Sequence, residues 1–348
     1  MDQRQPELSE YCFRAAPLGN LTHLLSGMGC DADAVFKAAG LNPVDFIDPD
    51  LHLSYRQGGV LFEEARLASD CDHVGLLLGQ WFLPTHLGFP GRVIANARDV
   101  RGALNGLVDN FDLHDRGGLL ALESKPKKTS VSYEISTPDV PGAEQIREFV
   151  VTCLCATMRA LCGVSWNPTE VTITRRKPAD VRPYKEYFQS PVSFDASRSR
   201  LTFATKWLDT CLDNMASESL LQVQQLADEL HATLPRPYGR VVEQMLYVGL
   251  PNLNTAGGVA GMLGVHERTL HRKLLAEGRN FRSTLDDVRR TASNYYLLGT
   301  TLSIQDIARA LGYSSTASFN HAFNRWHRTK PRSWKLSQIN TTPPSTSE

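Results

Sequence analysis

No run of this sequence is apolar enough to cross a bilayer. The longest apolar stretch, Phe149 to Met158, is too short and ends at Arg159. Residues Met1 to Phe13 lack a basic segment leading into an apolar one, so no secretory leader is read there. Seven cysteines are an odd number, scattered without the spacing of a disulfide framework. Cys153 and Cys155 fall on different faces if their segment is helical, which argues against a metal clip. Reduced thiols and a cytoplasmic location are therefore expected. There is no phosphate loop, no His-Glu-x-x-His and no Gly-x-Ser-x-Gly. His52, His73, His86 and His114 are isolated. The expectation is no enzyme, no cofactor and no metal.

Net charge is also missing: 37 Lys and Arg face 37 Asp and Glu over 348 residues. The balance is uneven, however. Residues 252–336 hold 13 basic and 5 acidic side chains, a net of +8, and the remainder carries −8. A basic module on an acidic body points to a polyanion partner for that module.

The same stretch carries a pattern twice. Val259-Ala260-Gly261-Met262-Leu263-Gly264-Val265 returns 48 residues on as Ile307-Ala308-Arg309-Ala310-Leu311-Gly312-Tyr313. Leu270 and Leu274 follow the first copy. Phe319 and Phe323 follow the second, one residue later in register. Apolar pairs at i and i+4 mark one helix face, and a Gly between two helices suits a left-handed turn. Each copy reads helix, tight turn, helix, the unit whose second helix enters the major groove of DNA. Between them, Phe281, Leu285, Val288, Ala292, Tyr295 and Leu298 form the core stripe of a connecting helix. Its length suits two reading helices in successive grooves, about 34 Å apart.

From Thr255 to Lys335 the chain closely resembles the DNA-binding domain of the AraC family of bacterial transcription regulators. The residues that carry the resemblance are 268–274 (Arg-Thr-Leu-His-Arg-Lys-Leu), Asp306-Ile307-Ala308, Leu311-Gly312-Tyr313-Ser314, Phe323-Asn324-Arg325-Trp326 and the closing Lys330-Pro331-Arg332-Ser333-Trp334. The resemblance places base-reading side chains at Arg268, His271 and Arg272, and Thr269 shares their exposed face. In the second reading helix Ser315, Thr316, Asn320 and His321 face outward. Arg325, Arg328 and Lys330 suit phosphate contacts, which position rather than specify. His321 stands where the family often has Arg, and a neutral imidazole cannot replace a bidentate cation.

The first two hundred residues read as α+β, with helices segregated on an antiparallel sheet. Ser54 caps a helix to about Ala68 with Val60, Leu61, Ala65 and Leu67 on its buried stripe. Strands at 119–123 and 131–135 alternate as a half-buried hairpin. Residues 146–161 give a helix over it, 171–173 another strand, and 192–194 with 201–203 a second hairpin. Helix resumes from Lys206 to Leu234, and Pro235-Arg236-Pro237 ends it. This part is similar to the sensor domain called arabinose-binding in one subgroup of these regulators. The similarity rests on Gly75-Leu76-Leu77-Leu78-Gly79, Leu87-Gly88, Ala103-Leu104, Pro168 with Val171, and Tyr184 to Phe188 before Pro191-Val192-Ser193-Phe194. Gln189-Ser190 replaces the usual small residues there. Trp81, Phe82, Phe89, Tyr133 and Trp166 could line a pocket, although aromatic core is their commoner role.

The expected organisation is a sensing and dimerisation domain over 1–234, an all-α domain with two helix-turn-helix units over 237–337, and a disordered tail over 338–348. The function implied is a ligand-responsive, sequence-specific activator. Its implied partners are double-stranded DNA, RNA polymerase, a small-molecule effector of unknown binding residues and a second copy of the chain, with no membrane. The alternatives are a DNA-bound scaffold for a protein partner, or an enzyme fused to a DNA module.

Overall fold

The computed structural model describes residues 11–212, 220–233 and 237–341. Contacts divide the chain into two units, 1–194 with 198–236, and 237–348 with 195–197.

The first unit opens with β1 (Cys12–Arg14), paired antiparallel with β2 (His52–Ser54). Between and after them come α1 (Leu21–Gly27), α2 (Ala32–Ala38), α3 (Tyr55–Ser69), α4 (Val74–Gly79), α5 (Phe89–Ala95) and α6 (Val100–Asp109). Ser54 starts α3 as expected, through a reciprocal cap with Gln57. The buried face of α3 is Tyr55, Gly58, Gly59, Leu61, Phe62 and Ala65, whereas Leu67 is 50% exposed. Sequence periodicity had put Leu67 on the stripe and left Phe62 off it.

A five-stranded sheet follows, from β3 (Gly118–Ser124), β4 (Lys128–Ile135), β5 (Glu170–Thr172), β6 (Val192–Ser193) and β7 (Ser199–Ala204). Its order is β3-β4-β7-β5-β6. The α+β class holds, with two corrections. The expected second hairpin does not form: β7 inserts between β4 and β5, and β6 lies parallel to β5. Parallel neighbours need a crossover, and α8 (Arg182–Phe188) supplies it. Nor is the first hairpin half-buried. Ser130, Ser132 and Glu134 are buried together with Val131, Tyr133 and Ile135, because β4 is an interior strand covered on both faces.

The long helix α7 (Ala143–Cys162) packs on β4 and β7, and α4 packs on α7. The Gly75-to-Gly79 segment permits that approach. A Cβ on Gly75 would stand 2.2 Å from the Gln145 carbonyl oxygen, and one on Gly79 2.6 Å from Thr152 Cβ. At the end of α8, Gln189 takes the left-handed conformation, and its side chain accepts from Asn167 Nδ2 at 3.1 Å. That hydrogen bond offsets part of the strain where a smaller residue is usual. Residues 205–209 form a short 3₁₀ turn and Cys211 pairs with Asp99 in a β-bridge, so the helix expected from Lys206 is absent there; α9 covers Leu220–Thr233, and residues 213–219 lie outside the described residues.

The second unit is wholly helical among its described residues in 237–341: α10 (Tyr238–Gly249), α11 (Ala256–Met262), α12 (Glu267–Ala276), α13 (Phe281–Gly299), α14 (Ile304–Ala310), α15 (Thr316–His327) and α16 (Pro331–Thr341). The last helix extends past residue 338, where a tail was expected to begin; residues 342–348 lie outside the described residues, as do Pro235 and Arg236. Helix α13 is the spine, against which α10, α14 and α16 pack. Its stripe of Phe281, Leu285, Val288, Ala292 and Tyr295 is buried, but Leu298 is 36% exposed. Tyr296 and Leu297 are buried instead, since packing on several sides widens the apolar face near the end of the helix.

Candidate nucleic-acid interface

The two repeats fold into the same local structure. Thr255 accepts from the Gly258 N–H at 3.1 Å to cap α11, and Ser303, 48 residues on, caps α14 from the Asp306 N–H at 3.1 Å. Both helices end on a left-handed glycine, Gly264 at φ 63° and Gly312 at φ 72°. The next residue reaches back in each: Val265 N–H donates to Ala260 O at 3.0 Å and Tyr313 N–H to Ala308 O at 2.9 Å. Gly264 N–H donates to Gly261 O and Gly312 N–H to Arg309 O. These are two matching Schellman turns, which satisfy carbonyls the helix leaves open. Ala260 and Ala308 are both 2% exposed, and at such positions a larger side chain would hold the two helices apart.

After the first turn His266 Nδ1 accepts from the Arg268 N–H at 3.2 Å and starts α12. After the second, one residue longer, Ser315 accepts from the Ser318 N–H at 3.1 Å and starts α15. That extra residue explains the shifted register. Leu270 and Leu274 in α12, and Phe319 and Phe323 in α15, are fully buried. Opposite them Arg268, His271 and Arg272 are exposed and Thr269 is half-buried. In the second unit Ser315, Asn320, His321, Asn324, Arg325 and Arg328 are exposed and Thr316 is half-buried. His271 lies 3.5 Å from the Glu267 carboxylate.

Two of the sequence-derived residues have structural duties as well. Arg325 pairs with Asp286 on α13 at 2.7 Å, an exposed contact worth about 0–1 kcal/mol. That is little enough to yield to a phosphate. Arg328 closes α15 in the left-handed conformation, with its N–H on Asn324 O at 2.9 Å. Lys330 is exposed just ahead of α16, whose Trp334 packs edge-on against Phe323 at 5.6 Å. The closing motif therefore anchors its basic residues through a buried ring.

Arg289 was not among the sequence candidates. Its Nε donates to Leu311 O at 2.9 Å and its terminal nitrogen to Gly312 O at 3.2 Å. The guanidinium also lies over the Tyr313 ring at 4.4 Å. A cation from the connector thus clamps the second turn. Arg282, two turns earlier on the same helix, is exposed and lines a shallow hollow with His321, Ser318 and Arg325. The seven-residue spacing of Arg282 and Arg289 put both on one face of α13, a signal present in the sequence.

Two family models agree with this architecture. Residues 29–212 match the arabinose-binding domain of AraC transcription regulators, N-terminal, and 259–337 match a helix-turn-helix domain. An uncharacterised HTH-type transcriptional regulator of Mycobacterium tuberculosis is 26% identical, over 89% of this chain and 92% of that protein. The ornithine utilization regulator of Pseudomonas aeruginosa is 25% identical, over 90% and 94%. The crystal structure of the transcriptional regulator CdpR from Pseudomonas aeruginosa aligns with a TM-score of 0.37 at 25% identity, over 75% and 86%. No described helix is long and apolar enough to cross a membrane. The chain belongs to the AraC family of DNA-binding transcription regulators.

Proposed function

We propose that this regulator is a cytoplasmic activator that reads DNA through α12 and α15 and answers to a small-molecule effector bound by its first unit. The observation that carries the reading is the pair of matching turns, each presenting a helix buried on one face and polar on the other. Arg268, His271 and Arg272, with Thr269, meet base edges in one major groove. Ser315, Thr316, Asn320 and His321 meet those in the next. Arg325, Arg328 and Lys330 hold phosphates, and Arg282 joins them beside His321. The 19 residues of α13 span roughly 28 Å at 1.5 Å per residue, a length suited to neighbouring grooves. The protein acts by binding rather than by bond chemistry: the effector shifts dimerisation or promoter occupancy, and RNA polymerase is the partner recruited. Residues 1–234 form the sensor and 237–337 the reader.

Unequal chemistry in the two helices gives the test. Arg272 is a permanent cation with a two-pronged donor, and His321 holds the comparable place in α15. Arg272→Ala is expected to weaken binding to a selected duplex by roughly 1 kcal/mol or more beyond His321→Ala. Lys330→Ala should weaken all sequences alike and lower the salt slope by about one. Titration against selected and scrambled duplexes at two salt concentrations measures all three. Equal loss on both duplexes for Arg272→Ala would reduce it to a phosphate contact.

A further inference from the structure

The first unit encloses a cavity of about 50 Å³ between β3, β4, α7 and the chain before α1. A single water needs roughly 10–15 Å³, so the space exceeds what one solvent molecule fills. Its wall is mainly hydrocarbon, with Phe62, Phe82, Leu107, Phe149 and Leu154 among its side chains. Native interiors are close-packed, and a void of this size in a small unit costs stability unless something occupies it.

One end of the wall is polar, and its groups are unequally occupied. The Tyr55 hydroxyl donates to the Asp115 carboxylate, at 2.7 and 2.6 Å from its two oxygens. Asp115 Oδ1 also accepts from the N–H groups of Gly117 and Gly118 at 3.0 and 2.6 Å. The Tyr133 hydroxyl lies 3.3 Å from Oδ2. That carboxylate has little accepting capacity left. His114 is different: it lines the same cavity, is 7% exposed, and its Nδ1 has no hydrogen-bond partner. A buried nitrogen without a partner costs about 1–3 kcal/mol, a cost that a ligand hydroxyl or carbonyl would relieve.

The wall also restricts the charge of an occupant. No Lys or Arg is among the described residues lining the cavity, and Arg14, which acts on His114 from outside the wall, is already paired with Asp50, so an anion would find no free counter-charge and would face Asp115. A cation would find Asp115 already committed to four donors. Burial, with help from Arg14, holds the His114 imidazole down to about 3, so it stays neutral and can serve either as donor or as acceptor.

From the apolar wall and the unpartnered His114 we infer that this cavity is the effector site, and that it takes a small, uncharged, mainly apolar molecule with one hydroxyl or carbonyl directed at His114. The inference rests on the effector reading above and adds the site and the ligand class.

Melting of the full chain with benzyl alcohol, toluene, benzoate and benzylammonium tests it. Benzyl alcohol is expected to raise the melting point by several degrees and toluene by less, while the two ions leave it unchanged. Val150→Phe adds a ring to the cavity wall and should abolish the rise. His114→Leu should keep the toluene response and lose the preference for the alcohol. If overpacking unfolds the first variant, the second still decides. No rise with benzyl alcohol, the same rise in both variants, or an equal rise with either ion would overturn the inference. Each protein is also titrated with its selected duplex. A rise without any change in duplex affinity leaves the site standing and removes the effector reading; loss of all duplex preference in the parent chain counts against the regulator mechanism alone.

Discussion

Glu134 occupies an interior strand position with its Oε1 unpartnered. Burial pushes its carboxyl up to about 7, against the pull of Arg147, Arg198 and Arg200. In the unfolded chain the group titrates near 4.3. The folded form therefore holds its proton more tightly, and this contribution to stability is full below the unfolded value and lost as pH rises through 7. Glu134→Gln keeps the shape and removes the titration. The variant should match the parent at pH 4 and exceed it by on the order of 3 kcal/mol at pH 8. Denaturant melts at the two pH values measure this, and an unchanged gap would mean that Glu134 is ionised and fully paired at both. Nothing in the sequence marks this residue. Its alternation with Val131, Tyr133 and Ile135 reads as a solvent-facing position, and only tertiary packing over both faces of β4 buries it.

At the scale of elements, the two Schellman turns make unequal demands on their glycines. A Cβ at Gly264 meets nothing within 4 Å, but one at Gly312 would stand 2.9 Å from Pro251 O and 3.0 Å from Asn254 Nδ2. Gly264→Ala should cost about 1–2 kcal/mol from left-handed strain alone. Gly312→Ala should cost more, since backbone must move as well. Chemical denaturation of the two variants compares them, and equal losses would show that the second turn relaxes freely. These turns were legible in the sequence because what marks them lies within a dozen residues: an apolar residue, a small Ala, a Leu and a Gly. The reading helices were legible for the same reason, down to the extra residue before α15. Strand order was not. Whether β6 pairs with β7 or with β5 is decided by the crossover through α8 and by which strands α7 covers, contacts that short-range alternation does not encode. Arg289 escaped notice likewise, because its partners Leu311 and Gly312 lie 22 and 23 residues away.

For the whole molecule, charge divides along the line between the two units. The +8 of residues 252–336 sits in the helical unit and the −8 in the rest, which favours contact with a polyanion by one unit and discourages it by the other. DNA affinity of the full chain should therefore fall steeply with added salt, while sequence preference stays with the second unit. Residues 237–341 expressed alone should keep their helicity and select the same sequences as the full chain; circular dichroism and site selection would show it, and a shifted preference would place bases in contact with the first unit. The central claim is that one chain reads two successive grooves, and selection of the full chain against a random duplex library tests it most directly. The account predicts a bipartite site, two conserved blocks whose centres stand about one helical turn, 10–10.5 base pairs, apart, with Arg272→Ala relaxing one block and leaving the other. A single short block, or a site that Arg272→Ala leaves unaltered, would contradict it.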